Sequence, residues 1–278
     1  MIPIIHDLIE MAFREDIGTG DITSESTIPD DVMAKAIIKS KDNGIVAGLD
    51  VAGEVFRTLD MSIDYKKRAA DGDRITKGQE IATADGKARS LLTAERTVLN
   101  FLQRLSGIAT TTSKYAKAIS GYHAQIIDTR KTTPGWRALE KYAVRVGGGR
   151  NHRFGLYDAV LIKDNHIAVA GSIIKAVAMA RERIPHTMKI EVETETLDQV
   201  LEALESKADI IMLDNMGLEM MTEAVKLIAG KAIVEASGGI KLDSIVDVAK
   251  TGVDLISAGA LTNSVMSLDI SMDIMVQG

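Results

Sequence analysis

The chain of 278 residues contains no cysteine, which excludes disulfides, thiolate metal sites and thiol nucleophiles. It has no stretch of 18 uncharged apolar residues, so we expect no membrane span. Charged side chains occur throughout the first 17 residues, and we therefore expect no signal peptide and a cytoplasmic location. Basic residues are fewer than acidic ones, 33 against 39, and this deficit argues against bulk nucleic-acid binding.

What remains is the composition of an ordinary globular protein, with 46% hydrophobic and 26% charged residues. At about 150 residues per domain, the length predicts one large or two modest domains. We therefore expect an enzyme or a binder of small ligands.

The charge is unevenly distributed along the chain. Between Asp128 and His166 there are eight basic and four acidic residues, so this window carries +4 and the rest of the chain −10. A cationic segment in an acidic protein indicates a pocket for an anionic small molecule, although a solvated basic helix face would give the same pattern.

The first hundred residues mix helical and strand-like patterns. Apolar spacing predicts helices over 3–13 and 90–105, and short β-type runs lie at 36–38 and 45–48. On the second predicted helix Arg96, Asn100 and Gln103 form a polar stripe, which is usually a solvated surface.

A regular alternation of strand and helix follows after about residue 120. Apolar strand-like segments occur at 124–127, 159–162, 188–192, 209–213, 232–234 and 253–256. Helical segments between them predict a parallel α/β sheet of about six strands, either a doubly wound sheet or an incomplete barrel.

Ionisable or small polar residues stand at the carboxyl end of each predicted strand. In a parallel barrel these ends converge on one face, where active sites are built. Alternation along a strand places Glu191 and Glu193 on the same face. Carboxylates buried beside cations are costly unless paired, so we expect Glu191 and Glu235 to partner the basic residues of a site.

The last two strands end in glycine-containing loops, Ser237-Gly238-Gly239 and Ala258-Gly259-Ala260. Glycine lets backbone N–H groups approach a phosphate closely, and many barrels bind phosphate after their final two strands. These two loops are therefore candidate phosphate sites.

Several longer motifs match one known family. They comprise Asp128-Thr129-Arg130-Lys131-Thr132-Thr133-Pro134-Gly135, Asn151-His152-Arg153, Leu161-Ile162-Lys163-Asp164-Asn165-His166, Glu191-Val192-Glu193, Leu213-Asp214-Asn215 and Glu15-Asp16-Ile17-Gly18. Through these motifs the chain resembles the quinolinate phosphoribosyltransferases over nearly its whole length.

The resemblance implies transfer of a phosphoribosyl group from phosphoribosyl pyrophosphate to quinolinate. The products would be nicotinate mononucleotide, pyrophosphate and CO₂, formed with Mg²⁺ in NAD biosynthesis. It further implies an α/β open sandwich domain at 1–107, joined by 266–278, and an incomplete α/β barrel at 108–265. A homodimer or higher homo-oligomer is also implied.

The same resemblance assigns roles to individual residues. Arg130, His152, Arg153 and Lys163 would hold the dicarboxylate, with Arg96 donated by the neighbouring subunit and Thr129 among the substrate-binding residues. Lys131, Glu193 and Asp214 would be catalytic. Glu193 and Asp214 would reach the ribose hydroxyls or Mg²⁺, and the 5′-phosphate would lie against Ser237, Gly238, Gly239, Ala258, Gly259 and Ala260.

Three alternatives stay open at the level of the sequence. A related enzyme of the same scaffold would use another aromatic acid, because a fold does not fix a substrate. A Schiff-base lyase would use Lys163 as its amine nucleophile. A non-enzyme reading takes residues 71–86 as part of a lipoyl-like carrier domain.

Overall fold

A computed structural model describes residues 2–276 of the chain. The chain forms two compact units, the first from Met1–Ser113, Thr132–Gly148 and Ser264–Gly278 and the second from Lys114–Lys131 and Gly149–Asn263. The domain limits predicted from the sequence stay a prediction. Within the described residues no helix combines the length and the apolar character needed to cross a bilayer.

The described residues form eleven helices and twelve strands. The helices are α1 (Ile2–Asp16), α2 (Ile22–Thr27), α3 (Leu49–Leu59), α4 (Ala88–Ala118), α5 (Arg137–Val146), α6 (Asp164–Ala170), α7 (Ile173–Arg183), α8 (Leu197–Glu205), α9 (Leu218–Ile228), α10 (Ile245–Lys250) and α11 (Ala260–Asn263). The strands are β1 (Met33–Ser40), β2 (Gly44–Ile45), β3 (Asp64–Lys67), β4 (Arg74–Ile75), β5 (Glu80–Lys87), β6 (Gln125–Ile127), β7 (Val160–Ile162), β8 (Ile190–Thr194), β9 (Ile210–Asp214), β10 (Ile233–Ser237), β11 (Leu255–Ser257) and β12 (Ile270–Val276).

The first unit contains a four-stranded antiparallel sheet in the order β12-β1-β5-β3. Its hydrophobic core includes Phe56 of α3 and Leu91, Phe101 and Leu105 of α4, all of them buried. Helix α4 extends beyond the predicted 90–105 because its apolar stripe continues through Ile108 and Ala109.

The run at 45–48 was predicted to be strand-like, and this is only partly right. Strand β2 ends at Ile45, and Gly48 takes a left-handed conformation (φ +99°) that begins helix α3. The Asp71 carboxylate accepts hydrogen bonds from the backbone N–H groups of Gly48 (2.8 Å) and Leu49 (3.0 Å). Asp71 therefore satisfies donors at the start of α3 that the helix itself leaves without acceptors. The turn that suggested a carrier domain thus has a structural role.

The second unit is built on a six-stranded parallel sheet in the order β6-β11-β10-β9-β8-β7, which confirms the predicted α/β class. Most apolar positions of its strands are buried, as expected for a sheet covered by helices. Strands β6 and β7 lie at the two edges of the sheet, so it matches an incomplete barrel.

Two of the predicted strands end later than their apolar runs. Strand β8 continues through Glu191 and Glu193 to Thr194, and β10 continues through Glu235 to Ser237. The hydrogen-bonded ladder with β9 persists across these polar positions. Apolar runs underestimate both strands because their buried carboxyl ends are polar.

Candidate active site

A cavity of about 500 Å³ opens at the carboxyl end of the parallel sheet in the second unit. It is lined by Thr129, Arg130, Lys131, His152, Arg153, Leu161, Lys163, Glu193, Met212, Asp214, Asn215, Ser237, Gly238, Gly239 and Ser257. Most of these residues end or follow a strand, whereas His152 and Arg153 lie on the loop after α5. The convergence of polar strand ends predicted from the sequence therefore produces a cavity.

Four of the eight basic residues of the 128–166 window line this cavity, namely Arg130, Lys131, Arg153 and Lys163. The Arg153 guanidinium is anchored by a hydrogen bond from Nη1 to the carbonyl of Ala159 (3.0 Å). Burial lowers its pKa, repulsion from Arg130 lowers it further, and Glu191 opposes both effects. An arginine remains charged despite such a shift, so the cavity holds a partly buried guanidinium beside like charge. This positively charged environment favours an anionic ligand.

Two carboxylates oppose these cations in the cavity. Glu193 projects from β8 and its Oε2 lies 2.5 Å from Nζ of Lys163, which follows β7. Asp214 ends β9, and its Oδ2 accepts a hydrogen bond from Nδ2 of Asn215 (2.7 Å). The two neighbouring strands therefore bring both carboxylates to one end of the sheet.

His152, which lines the cavity, meets two buried carboxyl groups. Its Nε2 lies 3.0 Å from Oε2 of Glu191 and 3.8 Å from Oε1 of Glu235. Burial raises the pKa of Glu235 well above its ordinary value, and repulsion from Glu191 and Asp128 adds to the increase. The physical cause is that two adjacent buried carboxylates cannot both be charged cheaply.

The loop that carries His152 is fixed by Asp128, which is fully buried. Its carboxylate accepts hydrogen bonds from Nδ2 of Asn151 (2.7 Å) and from the backbone N–H of His152 (2.8 Å). No role for Asp128 was predicted from the sequence. A charged residue placed directly after an apolar strand was the available signal.

The first glycine loop lines the cavity and has the backbone geometry that requires glycine. Gly238 (φ +101°) and Gly239 (φ +59°) are both left-handed. A Cβ atom on Gly238 would overlap Asn215, so the loop packs closely against the end of β9. At Gly238 and Gly239 the backbone therefore faces the cavity without a side chain.

The second glycine loop is placed differently from the first. Ser257 lines the cavity, whereas Ala258, Gly259 and Ala260 are not among the lining residues. Gly259 instead lets Lys131 approach, because a Cβ atom there would lie 3.0 Å from Cδ of Lys131. The Thr262 hydroxyl also donates a hydrogen bond to the Lys131 carbonyl (2.7 Å). This loop therefore supports Lys131.

Eleven of the fifteen residues predicted for the site thus line one cavity. Arg96 belongs to the first unit, where it is exposed on α4, and it is not a lining residue. Asn215 and Ser257 line the cavity but were not among the predicted site residues. The roles assigned to individual residues stay predictions.

A donor set for magnesium exists in the cavity. Mg²⁺ favours a small number of carboxylates together with substrate oxygens, and Glu193 and Asp214 supply such carboxylates on adjacent strands. The chemistry of these residues fits the ion.

Family models match most of the chain. Residues 21–106 match the N-terminal domain of quinolinate phosphoribosyl transferase and residues 108–273 match its C-terminal domain. A probable carboxylating nicotinate-nucleotide pyrophosphorylase of Bacillus subtilis is 49% identical over 267 residues, covering 96% of this chain and 92% of the relative. A chloroplastic carboxylating nicotinate-nucleotide pyrophosphorylase of Arabidopsis thaliana is 44% identical and covers 96% of this chain and 82% of its own.

Solved structures agree with the sequence relatives. The crystal structure of NadC from Streptococcus pyogenes superimposes with a TM-score of 0.95 at 44% identity, covering 99% of this chain and 97% of that one. The nicotinate-nucleotide pyrophosphorylase of Francisella tularensis gives 0.95 at 45% identity, covering 98% and 96%. With its cavity, its strand-end residues and these matches, the chain belongs to the quinolinate phosphoribosyltransferase family.

Proposed function

We propose that this chain transfers the phosphoribosyl group of phosphoribosyl pyrophosphate to quinolinate and releases CO₂, giving nicotinate mononucleotide and pyrophosphate. The observation that carries the proposal is the clustering of Arg130, Arg153 and Lys163 with Glu193 and Asp214 in one cavity of a family member. Two adjacent carboxylates on a planar ring call for guanidinium partners, and an activated sugar calls for nearby anionic groups.

In this mechanism the basic residues bind and orient quinolinate so that its ring nitrogen faces C1 of the ribose. The nitrogen forms a bond to C1 as the bond from C1 to pyrophosphate breaks. Positive charge develops on the sugar in that step, and the fixed carboxylates of Glu193 and Asp214 stabilise it. The ribosylated ring is cationic and stabilises the electron pair that the departing CO₂ leaves on the ring carbon. That carbon then takes a proton from solvent, so the step requires no base from the protein.

The predicted magnesium requirement is part of this proposal. Glu193 and Asp214 would hold the ion, which would supply positive charge to the pyrophosphate oxygens. The Ser237-Gly238-Gly239 backbone would face the 5′-phosphate.

Release of labelled CO₂ from carboxyl-labelled quinolinate tests the reaction directly. We expect release that requires both phosphoribosyl pyrophosphate and Mg²⁺, together with stoichiometric nicotinate mononucleotide. Absence of release, or release without the sugar donor, would contradict the proposal. A parallel reaction with nicotinate tests the related-enzyme alternative, and nucleotide formation from nicotinate alone would favour it.

The lyase alternative is disfavoured by the ion pair between Lys163 and Glu193. The nucleophile that forms a Schiff base must be a neutral amine, and an ammonium ion paired with a carboxylate is not nucleophilic. Borohydride trapping with carbonyl compounds should therefore leave the mass of the protein unchanged.

We also propose a homodimer or higher homo-oligomer in which Arg96 acts in the site of a neighbouring subunit. Exposure of Arg96 on α4 supports the proposal. Inactive Arg96→Ala and Lys131→Ala proteins should then regain activity when they are mixed and reassembled. No recovery in verified heterodimers would show that Arg96 acts within its own chain or has no role. The cytoplasmic location stays a prediction.

A further inference from the structure

Both ring nitrogens of His152 are engaged within the protein. Nδ1 accepts a hydrogen bond from the backbone N–H of Arg153 (2.7 Å), and Nε2 lies 3.0 Å from Oε2 of Glu191. The imidazole is therefore a bridge between a buried carboxylate on β8 and the backbone of a cavity-lining arginine.

These two contacts determine where the proton lies on the ring. An amide N–H can donate only to a nitrogen without a proton, so Nδ1 is the acceptor and Nε2 carries the hydrogen. The carboxylate of Glu191 accepts that hydrogen and thereby fixes both the tautomer and the ring orientation. The arrangement matches the way a carboxylate orients a histidine in metal and catalytic sites.

Glu191 is well placed for this task. Its side chain is 5% exposed, and that of Glu235, which lies beside it, is 1% exposed. One oxygen of each, Oε1, is buried without a hydrogen-bond partner. A pair of buried carboxyl groups with unused oxygens is unfavourable for stability, which indicates a functional reason for the cluster.

We propose that Glu191 is a positioning residue, whose carboxylate orients the His152 ring so that Nδ1 holds the Arg153 backbone and aims the Arg153 guanidinium into the cavity. The guanidinium has a second fixed point, its bond to the Ala159 carbonyl. The inference rests on the proposed function, because Arg153 is taken to bind a carboxylate of quinolinate.

A metal site is the competing use of these residues. One ligand atom each from His152, Glu191 and Glu235 lies within 4.8 Å of the others. However, the histidine nitrogen that would bind the ion carries a proton in this tautomer, and Arg153 and Arg130 add positive charge nearby. The hydrogen-bonded bridge therefore fits the geometry better than a cation does.

Two substitutions of Glu191 separate positioning from simple charge balance. Glu191→Gln removes the charge but keeps an oxygen that accepts from Nε2, whereas Glu191→Leu removes both. We expect the leucine variant to raise KM for quinolinate about tenfold or more, with KM for phosphoribosyl pyrophosphate unchanged. The glutamine variant should recover most of the quinolinate affinity that the leucine variant loses.

Equal impairment of the two variants would overturn the proposal, because charge alone would then be responsible. An unchanged KM for quinolinate in a folded leucine variant would overturn it as well. So would a divalent ion that the wild-type protein retains and the glutamine variant loses, measured by elemental analysis. Thermal unfolding of both variants shows whether they are folded.

Nitrogen NMR of the wild-type protein is an independent test that needs neither substrate nor activity. With ¹⁵N-labelled histidine and assignment by His152→Gln, we expect the His152 ring to show a proton on Nε2 and none on Nδ1 at neutral pH. A proton on Nδ1 would overturn the proposal even if quinolinate turnover is confirmed. Conversely, absence of turnover with the expected tautomer would reject the proposed function and leave the bridge in place.

Discussion

The parallel sheet of the second unit has a cavity at each end. The cavity at the amino end is about 580 Å³ and that at the carboxyl end about 500 Å³, so size does not distinguish them. Charged residues line both, including His123, Arg150, Asp209 and Asp254 at the amino end. The difference lies in what the carboxylates contact.

At the amino end the carboxylates bind the sheet itself. Asp254 accepts the backbone N–H of Val234 (2.8 Å) and pairs with His123 (3.1 Å). Asp209 accepts the N–H of Ile190 (2.9 Å) and pairs with Arg181 (2.9 Å). These acids satisfy donors at strand starts. A carboxylate used in this way holds the scaffold together.

At the carboxyl end Asp128 also accepts a backbone N–H, that of His152, but Glu193 and Glu191 contact side chains of the site instead. Glu193 contacts Lys163, and Glu191 contacts His152. The comparison shows that the partners of a charged residue, rather than its presence at a cavity, distinguish a site from a scaffold.

The largest effect is expected from Arg153→Ala. Loss of one partner of a partly buried charge pair should weaken quinolinate binding by about 2–5 kcal/mol. Arg181→Ala at the amino end is the matched control, and it should leave quinolinate affinity unchanged. Calorimetric titration with quinolinate measures both. Wild-type affinity in the Arg153 variant would remove this residue from the site.

The second effect concerns turnover rather than binding. Glu193→Ala should lower kcat by about 10²–10³-fold, the usual loss for a group that stabilises transition-state charge. KM should change less, because the charge of Glu193 matters most at the transition state. Steady-state rates of CO₂ release give both constants. A higher KM at unchanged kcat would instead assign Glu193 to ground-state binding.

The sequence was sufficient to predict the features that depend on local pattern. The alternation of apolar strands with helices predicted the six-stranded parallel sheet. The polar strand ends predicted where its cavity opens. The motif around Arg130 and Lys131 added the family. In each case the signal lies within one short segment, since strand faces and strand ends are local properties.

The sequence was not sufficient where contacts join distant segments. Glu191, Glu235 and His152 come from two strands and a loop, and their meeting depends on the register of β8, β9 and β10. Likewise Gly259 packs against Lys131, although the two residues are far apart in the sequence. The backbone conformation of Gly48 also overrode an apolar run that favoured a strand.

The third prediction concerns the scaffold at the amino end. Asp254→Ala leaves the buried N–H of Val234 without its acceptor, and this should lower the free energy of unfolding by about 1–3 kcal/mol. Turnover of the folded protein should not change. Denaturant unfolding and CO₂ release measured on the same preparation check both parts. Reduced kcat with unchanged stability would reverse the assignment of the two ends.

Glu235 contributes the smallest expected effect, a pH dependence of stability. The free energy of unfolding should change by at most about 1.4 kcal/mol per pH unit. Its pKa is raised in the folded protein, so between its ordinary value and the raised value only the folded state keeps the proton. The free energy of unfolding therefore falls as pH rises through that interval, because the unfolded state releases this proton while the folded state still binds it.

Glu235→Gln should abolish this contribution, because the amide has the shape of the protonated acid and does not titrate. Unfolding curves of both proteins from about pH 4.5 upward should therefore diverge, with the wild-type protein losing more stability. Parallel curves would mean that Glu235 titrates normally. The buried acids at the carboxyl end would then be stabilised as well as those that accept strand N–H groups at the amino end. The contrast between the two ends of the sheet would fail.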